Sequence, residues 1–260
     1  MGLRINQNVA AFNAYRNLSV TDGQMAKSLE KLSSGFRINR AADDAAGLAI
    51  SEGLRSQTGG LKVAARNAQD GVSLVQTAEG ALTEVHSMLQ RMNDLAVQHN
   101  SGVQNTESKA ALAAEFTALK TEIGRIQDNA TFNGVALFPA TAGTATFQVG
   151  YKNADTIDVS LAKVDVSAAV ITSSDTVQTA VTAVSTARAG LGAIQNRFEH
   201  TINSLNVAVE NLSASESRIR DTDMASEMVE FTRSQILSQA GTAMLSQANQ
   251  APQGVLRLLQ

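Results

Sequence analysis

Cysteine and tryptophan are absent from the 260-residue chain, and proline (Pro139, Pro252) and tyrosine each occur only twice. Without cysteine there are no disulfides, thiolate metal sites or cysteine nucleophiles. With so little proline, long stretches are free to run as uninterrupted helix. Aromatics make up 4 % of residues, and 41 of the residues counted as hydrophobic are alanine, so large apolar side chains are scarce. That supply suits thin helix-to-helix seams better than one thick core, which argues against a β-sandwich or an α/β enzyme. Charge excess is missing too: 21 basic residues face 24 acidic ones, for a net charge of −3 and no basic stripe, so nucleic acid is not an expected partner. No apolar run approaches the ~20 residues that span a bilayer, so no membrane is expected either. The N-terminal Met1–Asn8 stretch lacks the apolar region of a signal peptide, and Asn6 stands where a myristoylation pattern needs Ser or Thr. A soluble chain without a conventional export signal is expected.

What is present is a heptad. Leu54, Leu61, Ala68, Val75, Leu82, Leu89 and Ala96 recur every seven residues, with Ala64, Gly71, Ala78, Val85 and Met92 three positions on. Together they predict an a/d seam over about 47–98, roughly 78 Å of helix at 1.5 Å per residue. A second helix is predicted over 106–128, from Leu112, Phe116, Leu119, Ile123 and Ile126, with Thr106 as its cap. Towards the C-terminus, Leu191, Phe198, Leu205, Leu212 and Ile219 again recur every seven, beside Ile202 and Val209, with Asp175 as a candidate cap. Between the helices the period changes to two: 144–150 and 156–164 alternate polar and apolar around a Lys152–Asp155 turn, and Asn133-Gly134 and Pro139 mark further turns. The fold expected is mainly α, an elongated rod of long antiparallel helices with coiled-coil seams and a small β-rich segment at 130–174.

The chain ends read as partners. Ile5, Val9, Phe12, Met25, Leu29 and Leu32 form a stripe near one end, and Met224, Met228, Phe231, Leu237, Met244 and Leu245 form another near the other. An amphipathic helix with no core of its own is marginal alone, so these segments should pair with each other or with neighbouring subunits.

No catalytic constellation can be assembled. His86, His99 and His200 are the only histidines, and His86 and His99 read as surface residues. Metal-protease, nucleophile-elbow and phosphate-loop patterns are missing. Asp43-Asp44 reads as a solvated or salt-bridged pair rather than a metal site, and neither cofactor nor metal is expected. Asn-x-Ser/Thr sequons begin at Asn17, Asn129 and Asn211 and read as chance without a secretory signal. Gly59, Gly60, Gly71 and Gly80 interrupt a helical pattern at a cost of roughly 1 kcal/mol each against alanine, which fits either local kinks or close approach of another helix.

The strings LSSGFRINRAADDAAGLAISE (32–52), ARNAQDGVSLVQTAEGAL (65–82), LQRMNDLAVQ (89–98), GAIQNRF (192–198), SRIRDTDMASEM (217–228) and QILSQAGTAMLSQANQAPQGVLRLL (235–259) resemble bacterial flagellin, over about 1–138 and 175–260. The resemblance implies a non-enzymatic structural subunit, exported unprocessed by the flagellar type III apparatus and polymerised under a cap into the extracellular filament used for swimming. Large outer domains are missing. It also implies that 1–46 and 217–260 form terminal helices and connectors, disordered in the monomer and lining the inner core of the filament, around a rod domain of 47–216. Ile5, Val9, Phe12, Leu29, Leu32, Leu237, Met244 and Leu245 are the assembly contacts so implied. Further implied partners are the cap and hook-junction proteins, an export chaperone and the vertebrate Toll-like receptor for flagellin. For that receptor, Gln90, Arg91, Leu95, Gln98 and Glu115 match the family's contact patch, whereas Leu119 stands where well-recognised members carry a basic residue. The alternatives are a hook–filament junction protein and an unrelated coiled-coil assembly protein; an inserted zinc protease is rejected because no histidine lies between His99 and His200.

Overall fold

The computed structural model describes residues 7–139 and 143–258, with side chains through residue 250. In chain order the elements are α1 (Val9–Ser34), α2 (Ala45–His99), α3 (Thr106–Asn129), β1 (Thr131–Phe132), β2 (Val135–Ala136), β3 (Gly143–Gln148), β4 (Thr156–Leu161), α4 (Ser174–Arg220) and α5 (Met224–Leu258). The strands form two antiparallel hairpins, β1–β2 and β3–β4. The class is mainly α with a small β region, as the period changes predicted. The chain divides into two compact units, residues 57–211 and residues 1–56 with 212–260.

The core of the 57–211 unit is the predicted seam. Leu61, Ala64, Ala68, Val75, Ala78, Leu82, Val85, Leu89, Met92 and Ala96 are all buried, because a period of 3.5 keeps one face of α2 against its partners. Phe116 and Ile123 of α3 and Val177, Val184, Leu191 and Phe198 of α4 close over it. Strand β4 turns Ile157, Val159 and Leu161 inward and Thr156, Asp158 and Ser160 outward, the period of two that the sequence carries. The Phe147 ring meets Phe198 edge-on, with centroids 5.6 Å apart and planes at 87°. Phe198 in turn lies against Gly71, where an added Cβ would sit 2.6 Å from its ring tip. Gly60 gives way similarly to Tyr151, at 3.1 Å, whereas Gly59 and Gly80 face open space within the chain. Gln127 is fully buried, and its Oε1 accepts the Val164 N–H at 2.9 Å, fastening the segment after β4 to α3.

Two expected caps lie inside the first turn of their helices instead. The cap of α3 is Asn105, whose Oδ1 accepts the Ser108 N–H at 2.7 Å, and Thr106 is the first helical residue. Helix α4 begins at Ser174, so Asp175 lies in its first turn, where its charge meets the positive end of the helix dipole. His86 and His99 are half-buried rather than exposed: the Nδ1 of each is shut off from solvent, and His86 Nε2 lies 3.0 Å from Gln90 Nε2.

Candidate functional site

Helices α1 and α5 pack antiparallel within the residue 1–56 and 212–260 unit. On α1 the seam runs Ala11, Ala14, Leu18, Thr21, Met25, Ser28 and Leu32; on α5 it runs Glu227, Phe231, Ser234, Ser238, Gly241, Leu245 and Ala248. Both sets alternate steps of three and four, the heptad of a two-helix seam. Most members are small or hydroxylated, and Gly241 leaves room for Leu18, whose nearest atom would be 3.2 Å from an added Cβ. Polar contacts pin the register along the pair. Asn8 Nδ2 donates to the Ala248 carbonyl at 2.7 Å, Ser238 Oγ donates to Asp22 at 2.9 Å, and Lys31 Nζ meets Glu227 at 3.4 Å.

More of the large apolar side chains point the other way. Val9, Phe12, Tyr15, Val20 and Leu29 on α1, and Met224, Met228, Val229, Ile236, Leu237 and Met244 on α5, are exposed, Phe12 by 71 %. This corrects the single stripe expected at each end. Met25, Leu32, Phe231 and Leu245 face the partner helix, whereas Val9, Phe12, Leu29, Leu237 and Met244 do not; Ile5 lies outside the described residues. One groove of about 530 Å³ is floored by Ala14, Leu18 and Ala240 and flanked by Val9, Leu237 and Met244. A second, of about 490 Å³, runs along Met228, Val229, Thr232, Ile236 and Leu237. A contiguous apolar surface of this kind marks an interaction face, since each such side chain stabilises a contact by about 1.5–3 kcal/mol when fully covered.

The connectors that join this pair to α2 and α4 are clasped together. Gly35, at φ 76°, ends α1, its carbonyl accepts the Thr222 N–H at 2.9 Å, and the Arg37 N–H donates to the Arg220 carbonyl at 2.6 Å. The Arg220 side chain reaches Glu52 at 2.7 Å and lies over the Phe36 ring, 4.8 Å from its centroid. Sequence reasoning missed this clasp; its only trace was the charged run Arg218–Asp223. As expected of a salt-bridged pair, Asp44 lies 3.9 Å from the Arg37 guanidinium, and both aspartates also accept backbone N–H bonds. Asp44 Oδ1 accepts the Gly47 N–H at 2.8 Å and so caps α2, while Asp43 Oδ2 accepts from Arg40 at 2.9 Å and Asn39 at 3.2 Å. The Arg40 bond, more than any other contact, holds the Asp43 carboxyl below its ordinary range. Among the described residues no group of three His, Asp or Glu could hold a metal, and no helix is long and apolar enough to cross a membrane.

On the 57–211 unit, Arg91 of α2 pairs with Glu115 of α3 at 2.8 Å, and Gln90, Arg91, Gln98 and Glu115 are exposed. Leu95 does not join them. It is fully buried in the α2 seam, so it supports this surface from beneath and has no area to offer a receptor.

Residues 5–143 match the family model for the bacterial flagellin N-terminal helical region, and residues 174–259 match that for the C-terminal helical region. The chain is 53 % identical to the flagellin of Halalkalibacterium halodurans, with 98 % of this chain and 99 % of that one covered. It is 44 % identical to the flagellin of Bacillus subtilis, covering 99 % and 100 %. With the flagellar filament 33 kDa core protein of Treponema phagedenis it shares 43 % identity, over 98 % and 99 %.

Proposed function

The chain belongs to the bacterial flagellin family, and we propose that its α1–α5 pair is the part that joins subunits inside the filament. It is a structural subunit of the extracellular flagellar filament, a self-polymerising helical assembly that serves motility. A contact between unlike surfaces whose rotation does not close generates such an open polymer. The observation that supports our reading is the make-up of the pair: most of its seam residues are small or hydroxylated, while many large apolar residues are exposed on its outside. In this seam Ala11, Ala14, Ser28, Ser234 and Gly241 are interspersed with Leu18, Met25, Leu32, Phe231 and Leu245, so it buries less area than an all-leucine seam and the pair gains when neighbours cover its outer faces. Ordering at the growing end then keeps these faces from nucleating polymers elsewhere. In this reading 1–46 and 217–260 form the inner core and 47–216 the surrounding layer, with Val9, Phe12, Leu29, Leu237 and Met244 as contacts between subunits and Leu32 and Leu245 as contacts within the pair. Deleting residues 245–260 should leave a soluble chain that does not polymerise; ordinary filaments from that truncation would contradict the reading.

Export through the flagellar type III apparatus, an export chaperone, the filament cap and the hook-junction proteins complete the partners we propose. The role is non-enzymatic. No observation favours the hook–filament junction alternative. For the vertebrate Toll-like receptor for flagellin, the exposed Gln90, Arg91, Gln98 and Glu115 form the proposed contact surface, with the Arg91–Glu115 pair at its centre. Arg91→Ala should weaken receptor-reporter signalling while leaving filament yield unchanged, since exposed pairs of this kind contribute only about 0–1 kcal/mol to folding. Unchanged signalling would count against the surface.

A further inference from the structure

Asn133-Gly134 is the one Asn-Gly pair in the chain. It forms the two-residue turn between β1 and β2, in which Phe132 pairs with Val135 and Thr131 with Ala136. Asn133 has φ 49° and Gly134 φ 78°, both in the left-handed region that a two-residue hairpin turn requires. Both residues are exposed, and nothing lies within 4 Å of where a Gly134 Cβ would be. Among the described residues the Asn133 side-chain amide makes no hydrogen bond, whereas the amide of Asn100 donates to the Thr172 carbonyl at 3.2 Å. The hairpin is two pairs long, short enough to open readily.

We propose that this turn is a modification site at which Asn133 deamidates spontaneously, with water as the only reactant. When the hairpin opens, Asn133 leaves the left-handed region and the Gly134 nitrogen can reach its Cγ. The nitrogen gives up its proton to solvent and attacks. A bond forms between that nitrogen and Cγ, the Cγ–Nδ2 bond breaks, and ammonia leaves with the proton returned to it. Glycine is the favourable neighbour because no side chain shields its nitrogen. Water then adds to the cyclic imide. Cleavage at Cγ gives aspartate, and cleavage at the main-chain carbonyl gives isoaspartate, whose backbone runs through the former side chain and is one methylene longer. That extra atom is incompatible with the Phe132–Val135 and Thr131–Ala136 register. It also strains the Leu137 N–H to Ala130 carbonyl bond, 2.9 Å, that closes the hairpin just before the buried Leu137 and Phe138. The products accumulate with the age of the subunit.

The test uses the full chain, incubated at mildly alkaline pH over weeks and then cleaved after Lys and Arg, which releases 126–152 as one peptide. Fragmentation mass spectrometry and methyl transfer by an isoaspartate methyltransferase locate the product. The expected result is loss of the amide at Asn133 while Asn100, Asn129 and Asn153 stay intact, faster conversion in urea, and a lowered unfolding midpoint of the aged chain. Asn133→Gly keeps a turn compatible with positive φ and should abolish the conversion in 126–152. An amide at Asn133 that survives, or that outlasts those at Asn100 or Asn153, would overturn the proposal, as would conversion in 126–152 that persists in N133G. Equal rates in folded and urea-unfolded chains would overturn the gating by hairpin opening.

Discussion

Phe198→Ala should destabilise the 57–211 unit by about 3–5 kcal/mol, the cost of emptying a fully buried phenylalanine site. The ring is where three elements meet: it comes from α4, it rests on the bare backbone of α2 at Gly71, and Phe147 of β3 contacts it edge-on. Truncation therefore opens a cavity that neither a helix backbone nor a hairpin can readily collapse into. The complementary change, Gly71→Ala, adds a methyl group where Phe198 atoms would lie 2.6–3.0 Å away. It should cost about 1–3 kcal/mol from overpacking, against roughly 1 kcal/mol gained in helix propensity. Because both changes act on one contact, their effects should not add, and Gly71→Ala with Phe198→Leu should recover part of the loss. Urea unfolding of the full chain followed by circular dichroism measures all three. An unmoved midpoint in F198A would contradict the packing described.

Phe12→Asp and Met244→Asp should each raise the critical concentration for polymerisation by about 10–100-fold, taking about 1.5–3 kcal/mol per covered side chain and 1.4 kcal/mol per decade. Both residues are exposed on the outer face of the pair, Met244 by 64 %, so the substitutions remove little packing within the subunit. The unfolding midpoint should stay where it is while assembly fails. That separation distinguishes an interface residue from a structural one: Leu18→Asp, a change inside the seam, should instead disturb the pair itself. Sedimentation of seeded assembly reactions over a concentration series reads the critical concentration directly. A critical concentration unchanged in both variants would place the subunit contacts elsewhere.

The parts of the fold set by repetition were legible in the sequence. The a/d positions from Leu61 to Ala96 are buried because seven-residue spacing leaves them only one way to face, and the alternation at 156–161 fixes the inward side of β4 for the same reason. The terminal pair was legible only as a pairing. The apolar stripes mix two roles: Met25, Leu32, Phe231 and Leu245 join Leu18 in the seam while Val9, Phe12, Leu237 and Met244 stay exposed, and a search for hydrophobic stripes passes over the alanine, serine and glycine that complete the contact. The Arg220 clasp, the buried Gln127 and the capping by Asp44 each depend on a partner distant in sequence or on backbone geometry at a turn, and neither is encoded in a period. Leu95 illustrates the opposite error: a match to a family position specified the residue but not whether its side chain reaches the surface.

The most direct test of the central claim is seeded self-assembly of the purified full-length chain, viewed by negative-stain electron microscopy. Long, uniform filaments growing from the seeds, lost in F12D and M244D but retained in R91A, are the result expected of a subunit joined through the outer face of α1 and α5. Persistent monomer despite seeds, or filaments indifferent to both charged substitutions, would contradict it.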